Sequence, residues 1–351
     1  MNVLNDIPTK NEAASAVPAN APGENAPKVS VVVPVYNVEQ YLDKALHSLR
    51  VQTLKDMEFV CVNDGSTDNS LAILREYEAK DPHVHVLTQS NAGAGVARNT
   101  GMKLARGEYL SFLDADDFFE PEMLHMAYKH ARAQSADVVV FRCDEYHENT
   151  KLFVPTKWTI KTDILPAKRP FARNDIPKNI FGAFIGWPWD KLFRADFVRE
   201  NGLRFQETRT TNDMLFVFSA IVKASRITTM DSVLAHHRRT ARTLSVTREL
   251  SWNCFYEALC AVKKQLIAWN LYARREQDFV NYALHACLWN LHTLRDEAYQ
   301  KLYAALKTGW LSALGITARD ENYFYSHAEW TQLQEILFLS PEEFRSRRAA
   351  R

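Results

Sequence analysis

The feature that most restricts the fold is the segment Val29-Ser30-Val31-Val32-Val33-Pro34-Val35-Tyr36, nearly all β-branched and apolar, which stops at Asn37. A strand apolar on both faces must be covered on both, which marks a buried strand of a parallel sheet. Leu42, Ala45, Leu46 and Leu49 then recur at helical spacing. The alternation repeats. Glu58-Phe59-Val60-Cys61-Val62 is a second strand ending in Asn63-Asp64-Gly65-Ser66, followed by a helix through Leu71, Leu74 and Tyr77. Val84 to Leu87 is a third strand, and Ala94 to Ala105 is helical. Glu108 to Leu113 is a fourth, ending in Asp114-Ala115-Asp116-Asp117, before a helix from about Pro121 to Gln134 and a strand from Asp137 to Phe141. This order specifies an α/β fold with a mainly parallel central sheet flanked by helices. Ligands in such sheets bind beyond the carboxyl ends of the strands, where the polar tips fall.

The rest of the chain divides around that block. Residues 1–27 are rich in Ala, Asn and Pro and carry Pro8, Pro18, Pro22 and Pro27, which reads as a flexible tail. From about Glu145 to Ser245 the pattern is mixed. From Val246 onward it is helical, with stripes such as Phe279, Ala283, Ala286, Cys287, Leu291 and Leu294. The five cysteines are scattered, without a Cys-x-x-Cys pair, and read as buried apolar residues in a reducing compartment. A net charge of +1 over 351 residues gives no global attraction to nucleic acid, and no nucleic-acid partner is expected. No stretch reaches the ~18–20 apolar residues of a membrane span, and no export signal is visible, so a cytoplasmic protein is expected.

Three polar segments could carry chemistry. Asp114-Ala115-Asp116-Asp117 brings together carboxylates that repel unless a cation shares them, and hard oxygen ligands suit Mg²⁺ or Mn²⁺. A solvated acidic turn at a helix start is the plainer alternative. Asp64-Gly65-Ser66-Thr67-Asp68 reads as a glycine turn with a cap, except that Asp64 lies at a strand tip, where a carboxylate can accept from a base N–H. Asn91 to Gly101 looks like a phosphate loop, but it is not a dinucleotide fingerprint, because Arg98 takes the third glycine position, and it has no Walker lysine.

The ordered set 29–37, Val-Asn-Asp-Gly-Ser-Thr-Asp at 62–68, Asn-Ala-Gly-Ala-Gly-Val-Ala-Arg-Asn-Thr-Gly at 91–101 and Gly-Glu-Tyr-Leu-Ser-Phe-Leu-Asp-Ala-Asp-Asp at 107–117 resembles family 2 glycosyltransferases of the GT-A fold, of the bacterial surface-polysaccharide type. The match is strong over about 28–120 and weaker to about 245. The resemblance implies a GT-A domain over 28–245, with a nucleotide-sugar-binding half at 28–140 and an acceptor and catalytic half at 141–245, followed by a helical region at 246–351. It implies inverting transfer from a UDP-sugar to a saccharide or lipid-linked glycan. Pro34 and Tyr36 would flank the base, Asp64 would meet the uracil edge, Arg98 would sit beside the nucleotide, Asp114 would meet the ribose or metal side, and Asp116 would hold Mn²⁺ or Mg²⁺.

Gly202-Leu203-Arg204-Phe205 precedes Thr211-Asn212-Asp213-Met214, where the resemblance implies a general base: Asp213 matches it, while Asn212 replaces the usual Glu. Trp189-Asp190-Lys191-Leu192 resembles the family's Trp-x-Lys-Leu segment. Trp189 or Trp187 would serve as an acceptor platform or pack in the core, and Lys191 would meet a phosphate or the acceptor. In His236-His237-Arg238-Arg239, His237 would complete the metal shell, and Arg238 or Arg242 would clamp the diphosphate. A sugar-phosphate nucleotidyltransferase is disfavoured, because no glycine-rich loop with Arg and Lys follows the first strand. A non-catalytic nucleotide-sugar-binding module stays open through Asn212. The C-terminal helices are open to acceptor packing, to homodimerisation or, through Arg345, Arg347, Arg348 and Arg351, to peripheral contact with the inner membrane face.

Overall fold

The computed structural model describes residues 26–239, 244–317 and 319–349. All of the expected tail but Ala26 and Pro27, together with Arg242 and Arg351, lies outside the described residues. The first half alternates as β1 (Val29–Val35), α1 (Glu39–Arg50), β2 (Met57–Asp64), α2 (Ser70–Lys80), β3 (Val84–Gln89), α3 (Ala94–Leu104) and β4 (Tyr109–Phe112). The short β5 (Phe118–Phe119) and α4 (Met123–Gln134) follow. β3, β2, β1 and β4 are neighbours in that order and run parallel. Val32 lies opposite Val60 on one side and Phe112 on the other.

The two-sided apolarity of β1 is resolved by its pleat. Val32, Val60, Val62, Leu110 and Phe112 enter one core, and Val31, Val33, Val35, Phe59 and Cys61 enter another on the opposite face. Leu42, Leu46 and Leu49 of α1 cover the second face. α3 covers the first, so closely that a Cβ on Gly101 would stand 2.5 Å from a methyl of Val32. Only a residue without a side chain permits that approach.

The mixed segment holds β6 (Val138–His147), β7 (Leu152–Pro155), β8 (Lys191–Arg194), α5 (Ala195–Glu200), α6 (Met214–Lys223) and β9 (Ile227–Arg239). β8 enters the sheet antiparallel between β4 and β6, whereas β9 runs parallel to β6 and pairs with β5. The sheet is therefore mainly parallel in its first half and mixed in its second. The helices α7 (Cys254–Ala268), α8 (Tyr272–Thr293), α9 (Asp296–Ala305), α10 (Leu311–Ala313), α11 (His327–Phe338) and α12 (Pro341–Ala349) complete the described chain.

These helices are not a separate packing unit. Phe255, Leu259 and Val262 of α7 and Phe279, Ala283 and Cys287 of α8 belong to the same buried cluster as Val32 and Phe112. The terminal basic segment is partly spent inside the chain. The Arg345 guanidinium lies 4.2 Å from the Tyr299 ring centroid, Arg348 donates to the His292 carbonyl, and Arg347 is 3.7 Å from Glu335. Among the described residues, no helix is long and apolar enough to cross a membrane.

Phe112 ties the two halves together, its ring 4.8 Å from Phe205, 5.1 Å from Phe216 and 6.0 Å from Phe193. Truncating a fully buried Phe costs about 3–5 kcal/mol. Phe112→Ala is therefore expected to lower unfolding stability by about that amount, read as a fall in the urea midpoint.

Candidate active site

The tips of β1 and β2 are laced together. Asn37, in the left-handed region at φ 48°, accepts from the Thr67 amide at 2.7 Å, and its own amide donates to the Ser66 hydroxyl at 3.2 Å. Tyr36 is half exposed beside this link and Pro34 is partly buried. Asp64 is buried, and its carboxylate accepts from Gln89 Nε2 at 2.7 Å, the Ala92 amide at 2.9 Å and the Gly93 amide at 2.8 Å. It thus anchors the loop that leads into α3, an anionic group set before a helix N-terminus.

One turn into α3, Arg98 is 5% exposed. Its guanidinium donates to Asp114 Oδ1 at 2.5 Å and to Asn212 Oδ1 at 2.8 Å, and lies 5.3 Å from the Phe205 ring centroid. This bridge joins the tip of β4 to the start of α6. The backbone allows it because a Cβ on Gly95 would collide with the Gln206 carbonyl oxygen at 2.1 Å. Asp213, next in the chain, stands at the N-terminus of α6 without capping it. Burial pushes the Asp213 carboxyl up to about 6, with Arg98 pulling against it.

Past β4, burial and then the charges of Asp117 and Asp114 push the Asp116 carboxyl up. Asp117 accepts from the Arg238 amide at 2.8 Å and lies 3.2 Å from His237 Nδ1. Burial alone would lower His237, but Asp117, Asp116 and Asp114 raise it. Among the described residues, no three His, Cys, Asp or Glu side chains stand together at a spacing ready to hold an ion. The donor set fits an ion completed by substrate instead. Mg²⁺-like ions characteristically take one or two carboxylates plus phosphate oxygens. Since Nδ1 contacts Asp117, Nε2 is the His237 nitrogen that could ligate once the ring gives up its proton, as in outer-shell carboxylate–histidine pairs.

A cavity of about 950 Å³ opens beside these groups. Arg98, Asp114, Asn212 and Asp213 line it together with Trp158, Trp187 and residues of α8. Tyr36, Asp64, Asp116 and His237 are not part of its lining, so it belongs to the side of the site away from the β1–β2 tips.

Three expectations are corrected. Trp189 is 2% exposed and stacks on Trp187 at 4.9 Å and on His237 at 5.4 Å, so it is no open platform. The ring facing the cavity is Trp187, edge-on to Trp158 at 5.5 Å. Lys191 is fully buried, and its ammonium is spent on Asp190 Oδ1 at 2.6 Å and the carbonyls of Trp187 at 2.7 Å and Ile185 at 2.9 Å. It braces the loop that presents Trp187 and cannot reach a ligand. Arg238 is likewise 3% exposed, its Nε donating to the Asp116 carbonyl at 2.7 Å, its Nη1 paired with Glu148, and its guanidinium within 5.5 Å of the Tyr41, Phe118 and Tyr146 ring centroids. It holds the acidic loop from behind. Sequence reading passed over Trp158, Arg248, Tyr282 and Trp289, all at the cavity. Their one signal was Trp289, an aromatic outside the core stripe of its helix.

Residues 30–200 match the model of glycosyl transferase family 2. The chain is 31% identical over 232 residues to glycosyltransferase GlyG of Streptococcus pneumoniae, covering 64% of this chain and 75% of GlyG. It is 33% identical over 226 residues to the uncharacterized glycosyltransferase EpsJ of Bacillus subtilis, spanning 62% of this chain and 63% of EpsJ. The chain belongs to glycosyl transferase family 2. Its architecture matches the crystal structure of S. aureus TarS 1-349, with a TM-score of 0.70 at 23% identity over 92% of both chains, and that of the same fragment with UDP-GlcNAc, with a TM-score of 0.72 at 22% identity over 91% of this chain and 89% of that one. The fold is GT-A.

Removing one partner of a buried ion pair costs about 3–5 kcal/mol. Lys191→Met, which strands Asp190, is therefore expected to unfold at markedly lower temperature in calorimetry. A variant that melts like the parent but binds acceptor poorly would restore the ligand-contact reading.

Proposed function

We propose that this protein transfers a sugar, with inversion, from a UDP-sugar to a hydroxyl of a saccharide or lipid-linked glycan acceptor. The observation that carries the reading is Asp213: a carboxyl held near neutrality by burial, left uncapping at a helix start, and facing a large cavity beside the Arg98–Asp114 bridge. A general base works best when its pKa lies near the operating pH. The nucleotide side is supported by Tyr36 and Pro34 at the β1 tip and by the spare acceptor capacity of Asp64 Oδ2, which takes one hydrogen bond where Oδ1 takes two. UDP is supported further by the TarS 1-349 structures, which are complexes with UDP-GlcNAc and with UDP. A hexosyl or N-acetylhexosaminyl group fits this reading, and surface-polysaccharide assembly is the setting that the family resemblance implies.

In this reaction the ionised Asp213 accepts the proton of the acceptor hydroxyl as its oxygen forms a bond to the anomeric carbon. The bond from that carbon to the diphosphate oxygen breaks, and the electron pair leaves with UDP. One displacement inverts the anomeric centre. Arg98 fixes the geometry of this step by holding Asp114 and Asn212 in place, since a base displaced by an ångström loses most of its advantage. Asn212 lets Arg98 bridge to the start of α6 without adding a further carboxylate to Asp114, whose charge already acts on Asp213. A divalent cation held by Asp116 and His237 would supply neutralising charge to the departing diphosphate.

Asp213→Asn is expected to abolish transfer while UDP affinity, read by calorimetry, stays close to that of the parent; full transfer by this variant would refute the role. Because the base must be ionised, kcat/KM should fall as pH drops through about 6, and the limb should vanish in any residual rate of Asp213→Asn. A screen of UDP-sugars for Mn²⁺-dependent hydrolysis tests the donor and the metal together.

A further inference from the structure

The α8 wall of the cavity lies beyond the family match, which ends at residue 200, yet it is built as a binding surface. Tyr282, His285, Ala286 and Trp289 follow at i, i+3, i+4 and i+7 and line the cavity. The adjacent stripe, Phe279, Ala283 and Cys287, is buried in the core. Tyr282 lines the same cavity as Asp213, and burial and then the charge of Asp213 raise its phenol.

Also lining the cavity, Arg248 sits over Trp289, its guanidinium carbon 4.0 Å from the ring centroid. One nitrogen donates to Asn290 Oδ1 at 2.7 Å. The orientation of that amide is fixed, because its nitrogen donates to the Ala286 carbonyl at 2.8 Å. The partner is neutral. Among the described residues Arg248 forms no ion pair, Glu249 beside it in the chain acting on it through charge alone, and the α11 carboxylate at the cavity, Glu329, is held by His285 at 2.7 Å. A half-buried cation normally has an anion, and a guanidinium is shaped to take a carboxylate or phosphate through two parallel N–H donors. Trp289 is 50% exposed, and Trp187 and Trp158 border the same space. Such apolar faces suit the C–H surfaces of sugar rings.

We propose that the C-terminal helices form the acceptor subsite and that Arg248, braced on Trp289, receives an anionic group carried by the acceptor saccharide. The inference rests on the glycosyltransferase reading above and adds the chemical class of the acceptor. Uronate carboxylates and sugar phosphates share the recognised chemistry.

The test titrates the full chain, saturated with UDP, with trigalacturonate, glucose 6-phosphate and neutral maltotriose, following tryptophan fluorescence. A charge-assisted contact predicts that at least one anionic probe binds about tenfold more tightly than maltotriose. Arg248→Gln should erase the preference, Arg248→Lys should keep part of it, and Trp289→Ala should weaken all binding. Preference for trigalacturonate alone identifies a uronate acceptor, and preference for glucose 6-phosphate alone a phosphorylated one; both support the subsite. Equal binding of maltotriose, no binding of any probe to the UDP-loaded chain, or a preference that survives in Arg248→Gln overturns it. A parallel UDP titration isolates the other failure: if UDP does not bind, the donor reading falls, whatever the saccharides do.

Discussion

The site depends on one guanidinium. Arg98 reaches from α3 to the carboxylate at the tip of β4 and to the amide that precedes Asp213. A buried cation shared between a carboxylate and an amide costs desolvation and repays it only in accurate geometry. That geometry is enforced from beneath by rings: Phe205 and Phe216 stack at 4.3 Å, and Phe112 packs edge-on against both. The parallel half of the sheet, the mixed half and the candidate base are thereby fixed to one another through a single contact and the aromatic cluster that supports it.

The acidic loop after β4 is arranged by a second set of buried cations. Arg238 grips the Asp116 carbonyl from behind, and Lys191 ties together the loop that carries Trp187 and Trp189. Both side chains are closed to solvent, so their charge shapes backbone rather than ligand. What lines the cavity is therefore left to other groups: Trp158, Trp187 and Trp289, with the Asp213 carboxyl. The C-terminal helices share the core of the sheet, and so the cavity they line is built on the same packed cluster as the strands.

Much of this was legible in one dimension. The valine run of β1, the alternation through β4 and the polar tips follow from period and two-sided burial, because a parallel strand writes its environment directly into its own residues. Asp64, Arg98, Asp114 and Asp116 fall at strand tips or a helix start for the same reason. The roles of Trp189, Lys191 and Arg238 were not legible. A tryptophan, lysine or arginine in a mixed segment carries the same letter whether it faces a ligand or is spent on carbonyls and neighbouring rings, and only the packing of Ile185, Trp187 and His237 around them distinguishes the two.

The sequence by itself determined the class of fold, the sheet half that presents the carboxylates, and the residues available for chemistry, since these depend on local periodicity and on where strands end. Tertiary structure alone decided which polar groups remain free, that Asp213 lies beside Arg98 across more than a hundred residues, and that α8 lines the same cavity as Asp213. Those outcomes are set by long-range contacts between segments whose sequences hold no record of one another, and by a burial that tunes charge only after the chain has closed around it.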